Sequence, residues 1–480
     1  MASIPSISVD ASQRARRWDA IVLGSGVASL IAAARLGMQE LRVLVVEEQT
    51  ATDLPVCLRE PPLFAGCGEG AVLDSVLHEL RVPLIDRRRF VSSAVGFQIV
   101  GPDLRMDVGK LGHTASELVT WGLAKPDPAQ ALLRALDEAA EQERELLLGA
   151  TLVRMPGLRG LARSSAAGAT RARSSRGLPS EVSEVGAELG RILAAQVRAM
   201  GNHAEGGPNS EACARLLGTS LRGGLELGSG GTGLIPVLRR RVEALYGEFR
   251  SIDSSFDLIS SSGLPGLRQR ESGELWLARA LVIGSSAVAL GAATQEPAWA
   301  GLRVREASAR RRSTLHWQLP RDMLPEGMAE RLILLSEPGA SDPQQGVATL
   351  CVSGAGPRSR TVDLVARLLC DEGQAIAANG VPRAEDLEPA ADRIEALLHE
   401  LMPFAGDALV RQSIQLPHWD DDDWLEDTPA GAPWPGEANY RVSSRPPVYR
   451  LDRPAVAALG LEGDMMLGWR SGDAIAAEFR

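Results

Sequence analysis

Two glycines close to the N-terminus have the spacing of a phosphate-binding turn. The hexapeptide GSGVAS at 24–29 follows a short apolar run at 19–23 and precedes a helical stretch at 30–37. Gly24 permits a tight turn, and Gly26 lets the backbone approach a pyrophosphate closely. Free N–H groups and the positive end of the helix dipole then stabilise the negative charge of that ligand. The residues predicted to form this dinucleotide-binding turn are Gly24, Ser25, Gly26, Ala28 and Ser29.

A second apolar run, at 41–46, ends on an acid with the spacing of a ribose ligand. Glu47 lies 23 positions after Gly24, where a carboxylate can accept hydrogen bonds from both ribose hydroxyls of an adenosine. Glu48 is a second candidate ribose ligand, although a solvent-exposed side chain is favoured for this residue. Strand, turn, helix, second strand and acid together predict a Rossmann-type βαβ unit. Ser29 replaces the usual third glycine, which adds a side chain where helix and strand pack closely.

The segment 19–47 resembles the N-terminal unit of a flavoprotein superfamily that contains phytoene desaturases, carotenoid isomerases, amine oxidases and Rab GDP-dissociation inhibitors. Near the C-terminus, LGLEGDMMLGWRSGDAIAA at 459–477 is similar to the closing motif of that superfamily, in which Gly-Asp precedes a glycine-containing turn and a helix beneath the flavin. The resemblance implies FAD as the cofactor. It places Gly463 and Asp464 beside the ribityl or pyrophosphate part of FAD, and a turn from Gly468 to Gly472 against the isoalloxazine.

The middle of the chain extends this resemblance. Residues 217–241 are similar to a phytoene-desaturase stretch in which a Gly-Gly-x-Gly turn opens a helix, and Gly231 is the cofactor contact implied there. Strands at 247–253 and 277–284 are implied as well. After the ribose acid the superfamily usually has an Arg and a Gly-Gly pair, whereas this chain has EQTATDLPV at 48–56. The fold with a lost or altered cofactor, which the GDP-dissociation inhibitors illustrate, is therefore an alternative.

Hydrophobic periodicity outlines the remaining elements. Alternation of apolar residues predicts strands at 94–108, 313–319, 331–336 and 346–353, and helical spacing predicts helices at 71–84, 127–148, 361–371 and 387–402. In the resembled superfamily such a sheet forms the floor of the substrate cavity. We therefore predict an α/β fold: a Rossmann-like FAD/NAD(P)-binding domain with a second, substrate domain that contains a mixed or antiparallel sheet covered by helices.

Composition limits the classes of protein to which the chain can belong. Its 480 residues, 45% hydrophobic and 23% charged, are typical of a folded protein of two or three domains. A net charge of −10 argues against a nucleic-acid-binding protein. Five Cys without a CxxC pair indicate neither a zinc site nor a disulfide framework, so no bound metal is expected. Motifs of hydrolases and metalloproteases are absent, and the catalytic residues remain unknown.

Two segments of unusual charge lie between the predicted elements. The acidic segment, HWDDDDW at 418–424, carries four consecutive carboxylates. A cation site or a protein contact is one interpretation, but a solvated loop is favoured because a calcium loop needs glycine and a different spacing. An Arg- and Ser-rich stretch at 154–177 is expected to be a mobile basic loop, with contact to acidic lipid headgroups or an acidic partner as the alternative.

We predict a discontinuous dinucleotide domain, at 17–60, 220–290 and 440–480, and a substrate or cap domain at 61–219 and 291–439. Residues 1–16 are expected to be a flexible leader without the apolar core of a secretory signal, which favours the cytoplasm, with peripheral membrane contact as an option. No apolar run is long enough for a transmembrane helix.

The favoured function is FAD-dependent oxidation or isomerisation of a small apolar, polyene- or isoprenoid-like substrate. The alternative is a non-catalytic binding or assembly protein, with FAD structural or absent, that holds a protein partner. Amine oxidation ranks lower because an aromatic content of 4% is low for an aromatic cage. An NAD-dependent dehydrogenase ranks lowest because it would leave the C-terminal Gly-Asp motif unexplained.

Overall fold

The structure is a computed structural model. It describes residues 15–62, 64, 66–68, 70–149, 153, 182, 185–203, 210–227, 233–253, 256–284, 310–335, 347–354, 359–368, 384–414, 419–420, 422–426 and 438–480. The basic loop at 154–177, Gly231 and all but the last two residues of the predicted leader lie outside the described residues.

Strands and helices alternate at the N-terminus and are then mixed along the chain. The strands are β1 (Ala15–Leu23), β2 (Val43–Glu48), β3 (Phe90–Ser93), β4 (Val95–Gly101), β5 (Leu104–Gly109), β6 (Gly224–Leu227), β7 (Glu248–Ile252), β8 (Phe256–Ser261), β9 (Leu264–Gln269), β10 (Leu275–Ile283), β11 (Arg310–Arg311), β12 (Ser313–Pro320), β13 (Arg331–Leu335), β14 (Val347–Gly354), β15 (Thr361–Leu368), β16 (Val410–Gln412), β17 (Trp424–Leu425), β18 (Arg441–Ser444) and β19 (Pro447–Arg450). The helices are α1 (Val27–Gly37), α2 (Gln49–Thr52), α3 (Val56–Arg59), α4 (Val72–Glu79), α5 (Leu84–Arg87), α6 (Leu111–Thr120), α7 (Pro126–Gly149), α8 (Ala187–Met200), α9 (Ser210–Thr219), α10 (Leu234–Ala244), α11 (Ala384–Leu401) and α12 (Leu461–Glu478).

The first sheet has a parallel core in the order β19–β10–β1–β2–β7. The antiparallel pair β8–β9 joins β10, and β18 joins β19. All six residues of β2 are buried, because α1 and α12 cover one face of the sheet and β8, β9 and Trp419 cover the other. The continuous apolar runs at 20–23 and 43–46 suit this position. The strands expected at 247–253 and 277–284 are confirmed as β7 and β10.

The second sheet has seven strands in the order β16–β12–β15–β14–β13–β4–β5. All of its pairs are antiparallel except β13–β4, which is parallel. The mixed sheet predicted for the second part of the fold is therefore confirmed. The strands predicted at 94–108, 313–319, 331–336 and 346–353 correspond to β4 with β5, β12, β13 and β14.

The helix predicted at 361–371 is wrong, because this segment forms β15. β15 pairs along its length with β12 on one side and β14 on the other. Its apolar residues Leu364 and Ala366 pack against Ile394 of α11. Ladder hydrogen bonds on both edges and burial of one face outweigh the local helical spacing. The helices predicted at 71–84, 127–148 and 387–402 are confirmed as α4, α7 and α11.

None of the described helices combines the length and the apolar character that crossing a lipid bilayer requires. The division of the chain into domains stays a prediction. The strands of the first sheet nevertheless come from three separate parts of the sequence, at 15–48, 248–283 and 441–450.

Helix α12 lies close against helix α1 because glycines face the contact. A Cβ atom on Gly468 would overlap the carbonyl oxygen of Ala28, and one on Gly472 would lie 3.2 Å from the Cα of Ala32. The stretch from Gly468 to Gly472 is continuous helix, so the turn predicted there is wrong. These two glycines permit close helix packing, which is the physical reason for their spacing of four residues.

Replacing Gly468 by Ala should push α12 away from α1 and lower the free energy of unfolding by about 1–3 kcal/mol, the cost of overpacking a core. The matched control is Gly112→Ala in α6, where an added Cβ meets nothing within 4 Å. That substitution should leave stability unchanged or raise it by up to about 1 kcal/mol through helix propensity. Urea unfolding of both variants measures the difference, and equal effects would contradict the proposed helix contact.

Candidate dinucleotide-binding site

The turn between β1 and α1 has the backbone that the glycine spacing predicted. Gly24 adopts a φ of 108°, which favours glycine, and its N–H donates to the carbonyl of Val46 at 2.8 Å. Gly26 is the N-cap of α1 and has an extended backbone, and Ser25 between the two glycines is buried. The first N–H groups of α1 have no partner within the helix and face the place predicted for a pyrophosphate.

Carboxylates of the acidic segment lie on these N–H groups. Asp420 accepts hydrogen bonds from the Ser25 N–H at 2.7 Å and from the Ser25 hydroxyl at 2.9 Å. Asp422 accepts from the Val27 N–H at 3.1 Å. A Cβ atom on Gly26 would overlap the Asp422 carboxylate, so the close approach that this glycine permits is used by that side chain. Two carboxylates of the chain itself thus take the donors that we predicted for a pyrophosphate.

Several contacts hold the acidic segment in this place. Trp419 is 1% exposed and packs edge-on against Phe256, with ring centroids 5.6 Å apart. The backbone N–H of Trp419 donates to the Glu48 carboxylate at 3.1 Å. Asp423 accepts from Arg367 at 2.9 Å and from the Thr314 hydroxyl at 2.8 Å. The solvated loop predicted for this segment is therefore wrong for its described residues, 419, 420 and 422–424, where Arg, hydroxyl and backbone donors bond to the carboxyl groups. His418 and Asp421 lie outside the described residues.

The two predicted ribose acids are buried at the end of β2. Glu47 accepts from Arg239 of α10 at 2.9 Å and from Arg59 of α3 at 3.4 Å. Arg59 also donates to the Ser25 hydroxyl at 2.7 Å and so connects the acid to the turn. Glu48 is 3% exposed and bonds to the acidic segment, so the solvent exposure favoured for it is wrong.

The start of helix α10 repeats the arrangement at the start of α1. Glu60 accepts from the N–H groups of Leu234 at 2.7 Å and of Ile235 at 3.0 Å. A Cβ atom on Gly233 would overlap the Glu60 carboxylate. Burial raises the pKa of Glu60 to about 7. An internal carboxylate therefore occupies the second glycine-rich helix start as well, beside the undescribed Gly231.

Asp464, predicted from the C-terminal motif, faces the same cavity as Ser25 and Gly26. It accepts from Arg453 at 3.0 Å and from the Asn202 amide at 3.1 Å. Gly463 precedes it in α12, where a Cβ atom would overlap the carbonyl oxygen of Val456.

Ser29, Gly468 and Gly472 do not line this cavity. The side chain of Ser29 packs against Gly284 at the end of β10, where a Cβ atom would overlap the serine hydroxyl. The glycine that is missing from the helix is thus replaced by one on the neighbouring strand. Ala28 likewise belongs to the α1–α12 contact.

The cavity next to the turn has about 930 Å³ of empty space, open solvent included. Its lining combines apolar side chains with charged ones. The apolar residues include Leu54, Leu58, Phe64, Met200, Ile235 and Leu461. The charged residues are Arg59, Arg312, Arg367, Arg453, Asp420, Asp422, Asp423 and Asp464. Arg367 pairs with Asp423 and Arg453 with Asp464, so an anionic group of a ligand would share these arginines with acids of the chain.

Sequence reasoning missed the residues that fill the site. Arg59 and Arg239 reach Glu47 from separate helices, in place of the Arg that the superfamily has directly after its acid. Asp420 and Asp422 were visible only as an acidic run between two tryptophans. The two flanking tryptophans were the one signal that the sequence offered against a solvated loop, because large aromatic side chains are mostly buried, as both are here.

Comparison with known proteins gives similarity in structure alone. No family model matches the sequence, and no curated protein matches it significantly. Among solved structures, the chain is similar to an oxidoreductase from Methanosarcina mazei, with a TM-score of 0.56, 14% identity and coverage of 97% of this chain and 100% of that chain. It is also similar to cyclohexylamine oxidase from Brevibacterium oxydans IH-35A, with a TM-score of 0.53, 16% identity and coverage of 96% and 99%.

A redesigned putrescine oxidase gives a TM-score of 0.50 at 14% identity, with coverage of 96% of this chain and 100% of that chain. These likenesses show the predicted α/β fold, which the chain shares with these solved oxidases and the oxidoreductase. They do not distinguish a desaturase from an amine oxidase.

The sequence resemblance implies FAD, and the N–H donors at the start of α1 fit a pyrophosphate. The carboxylates of Asp420 and Asp422 stand in for phosphate oxygens on the N–H groups of Ser25 and Val27. The phosphate oxygens and the two carboxyl groups cannot accept from the same N–H groups at the same time. A dinucleotide bound in the usual place requires that the acidic segment withdraw from the turn.

Burial raises the pKa of Asp420 to about 7, whereas an unfolded Asp ionises near pH 3.9. Between these values the folded chain keeps a proton that the unfolded chain has lost. The contribution of Asp420 to stability therefore falls as the pH rises from about 4 to about 7 and stays low above that range.

We expect Asp420→Asn to gain more stability relative to the wild type at pH 8 than at pH 5, by up to roughly 3 kcal/mol, since about two pH units separate pH 5 from the pKa at about 1.4 kcal/mol per unit. The control is Asp257→Asn, since hydrogen bonds from Arg268 and Arg270 lower the pKa of Asp257 despite its partial burial. Its loss of stability should be the same at both pH values. Thermal unfolding measures both, and a pH-independent effect of Asp420→Asn would show that Asp420 is ionised throughout.

Proposed function

We propose that this chain is an FAD-dependent oxidoreductase whose cofactor competes with its own acidic segment for the phosphate-binding turn. The observation that carries the proposal is that the N–H groups of Ser25 and Val27 already donate to carboxyl oxygens of Asp420 and Asp422 at the start of α1. The turn is therefore built to hold an anion. The fold around it is that of FAD-binding oxidoreductases.

The residues that would hold FAD follow from the position of each donor and acceptor. Ser25, Gly26 and Val27 would bind the pyrophosphate. Glu47, at the end of β2, would accept from the ribose hydroxyls while it stays paired with Arg59 and Arg239. When bound, FAD supplies a flavin that accepts a hydride from the substrate.

The cavity supports a substrate with an apolar body, of the polyene or isoprenoid kind. Its apolar lining residues, which include Phe64, Met200 and Leu461, would exclude water from such a molecule. Arg312 and Arg367, which line the same cavity, would orient an anionic group. The redox reactivity has to come from the cofactor, because the sequence motifs of hydrolytic and metal-dependent catalysis are absent.

One observation favours a second candidate function, a non-catalytic binding protein with this fold. The acidic segment is anchored by buried contacts, with Trp419 and Trp424 each 1% exposed and Asp423 bonded to Arg367. Withdrawing the segment would expose both tryptophans and break that ion pair. If the free energy of this step exceeds that of FAD binding, the phosphate-binding turn stays closed, and the chain would act through a protein partner.

Titration of the purified chain with FAD tests both functions. We expect the double variant Asp420→Ala/Asp422→Ala to bind FAD at least about tenfold more tightly than the wild type, which corresponds to about 1.4 kcal/mol. The control Asp322→Ala/Asp407→Ala removes the same charge from two exposed positions and should match the wild type. Flavin fluorescence during titration and flavin absorbance after gel filtration measure binding.

The outcomes separate the proposals. Equal FAD affinity of the wild type and the Asp420/Asp422 variant would overturn the competition but keep the FAD-dependent function. Folded protein that binds no FAD in either form would overturn the oxidoreductase and support the non-catalytic candidate. Circular dichroism verifies that each variant is folded, and Asp420→Asn/Asp422→Asn, which keeps the side-chain volumes, replaces the double variant if the alanines unfold it.

A further inference from the structure

A second cluster of reactive side chains lies outside the candidate dinucleotide site. Cys57 on α3, His316 on β12 and Asp363 on β15 each offer one sulfur, nitrogen or oxygen atom, and these atoms all lie within 4.8 Å of one another. His316 and Asp363 are on adjacent antiparallel strands, because Asp363 pairs in register with Gln318, two residues from His316. None of the three lines the cavity beside the phosphate-binding turn.

Asp363 lies at the centre of this cluster. His316 Nε2 lies 2.9 Å from Asp363 Oδ1, and the Gln318 amide donates to the same oxygen at 3.2 Å. The Cys57 sulfur lies within 4.8 Å of the ligand atoms of both His316 and Asp363. A divalent cation among these three atoms would replace the thiol proton and would be attracted by the negative charge of the carboxylate.

The two nitrogens of His316 have different surroundings. Residue His316 is 4% exposed, and its Nδ1 is buried without a hydrogen-bond partner among the described residues. Because Asp363 is itself one of the three ligands, a cation between the two side chains would bind the nitrogen that faces Asp363, which is Nε2. The ring proton would then be on Nδ1, since a neutral imidazole carries one N–H and one lone pair.

The set of donors selects the class of cation. Thiolate, imidazole and carboxylate together suit zinc and its neighbours in the first transition series, whereas Mg²⁺ and Ca²⁺ prefer oxygen ligands alone. Three protein ligands leave a fourth tetrahedral position for water, or for the Gln318 amide oxygen after rotation of that side chain. Cation binding to sulfur releases the thiol proton to solvent, which balances the exchange.

We propose that Cys57, His316 and Asp363 form a binding site for a divalent transition-metal cation of the Zn²⁺ class. The site would fasten α3 to the second sheet. The same short helix carries Arg59. Arg59 donates to Ser25 in the turn between β1 and α1 and is paired with Glu47 of β2. The role is therefore structural, and the proposal is independent of FAD binding.

The chain gave no sign of this site in its sequence. Its three residues are at positions 57, 316 and 363, so no short spacing relates them. The expectation of no bound metal rested on the absence of such spacings. Only the pairing of β12 with β15 and the packing of α3 on them brings the three side chains together.

Binding of Co²⁺, a coloured substitute for Zn²⁺, tests the proposal on the full chain made without a polyhistidine tag. We expect about one equivalent of Co²⁺ after desalting, with thiolate-to-cobalt absorption in the near ultraviolet and visible bands of a tetrahedral ion. Zn²⁺ should displace the colour and raise the melting temperature, since it binds only the folded state.

Cys57→Ser should abolish the thiolate band and weaken Co²⁺ binding by at least about tenfold. Cys351→Ser is the matched control, because Cys351 is a free cysteine of the same sheet outside the cluster. Asp363→Asn keeps the acceptor for His316 but removes the charge, so it should weaken binding while the chain stays folded.

Wild-type protein that retains no Co²⁺ would overturn the proposal, as would a thiolate band that persists in Cys57→Ser. If Cys57→Ser fails to fold, the Asp363→Asn titration decides, and undiminished Co²⁺ affinity in that variant overturns the site. FAD affinity is read in the same samples, and its loss or presence leaves the metal result unaffected.

Discussion

The unpaired N–H groups at the start of helix α1 are the constraint on which the arrangement of the two sheets depends. A helix cannot satisfy its first N–H groups by itself, and here they are buried at the meeting of both sheets. Asp420 and Asp422 satisfy those of Ser25 and Val27. Because these acids follow the second sheet in the chain, the contact ties the end of the second sheet to the turn of the first.

Because those acids are buried, arginines on the neighbouring elements pair with them. A buried carboxylate costs several kcal/mol unless it is paired and fully hydrogen-bonded. Arg367 of β15 meets Asp423 and also donates to the carbonyls of Leu58 and Glu60, which holds the end of α3 against the second sheet. Arg453 bonds in the same way to Asp464. The arginines around the cavity thus form a structural network, and a ligand would have to share it.

One free energy decides between the two candidate functions, namely the cost of moving the acidic segment off the phosphate-binding turn. The donors are the same in both cases, because a carboxylate and a phosphate accept the same hydrogen bonds. A ligand that takes these N–H donors must bind them more strongly than the two aspartate side chains, which the chain already holds nearby. Burial of Trp419 and Trp424 adds to what the ligand has to overcome. The fold alone therefore does not decide between a catalyst and a binding protein.

The sequence by itself determined the βαβ unit and its acid, because turn, helix, strand and Glu47 lie within a few tens of residues and depend on local geometry. It also determined most strands of the second sheet, whose alternation is local too. Tertiary structure decided the rest. The helical spacing at 361–371 gave way to β15 once two strands offered it hydrogen bonds. Asp420 bonds to Ser25 across 395 residues of sequence, and no pattern in either segment encodes the distance between them. Such contacts form only when the two sheets pack together, because packing buries the N–H groups and brings an acceptor within hydrogen-bond distance.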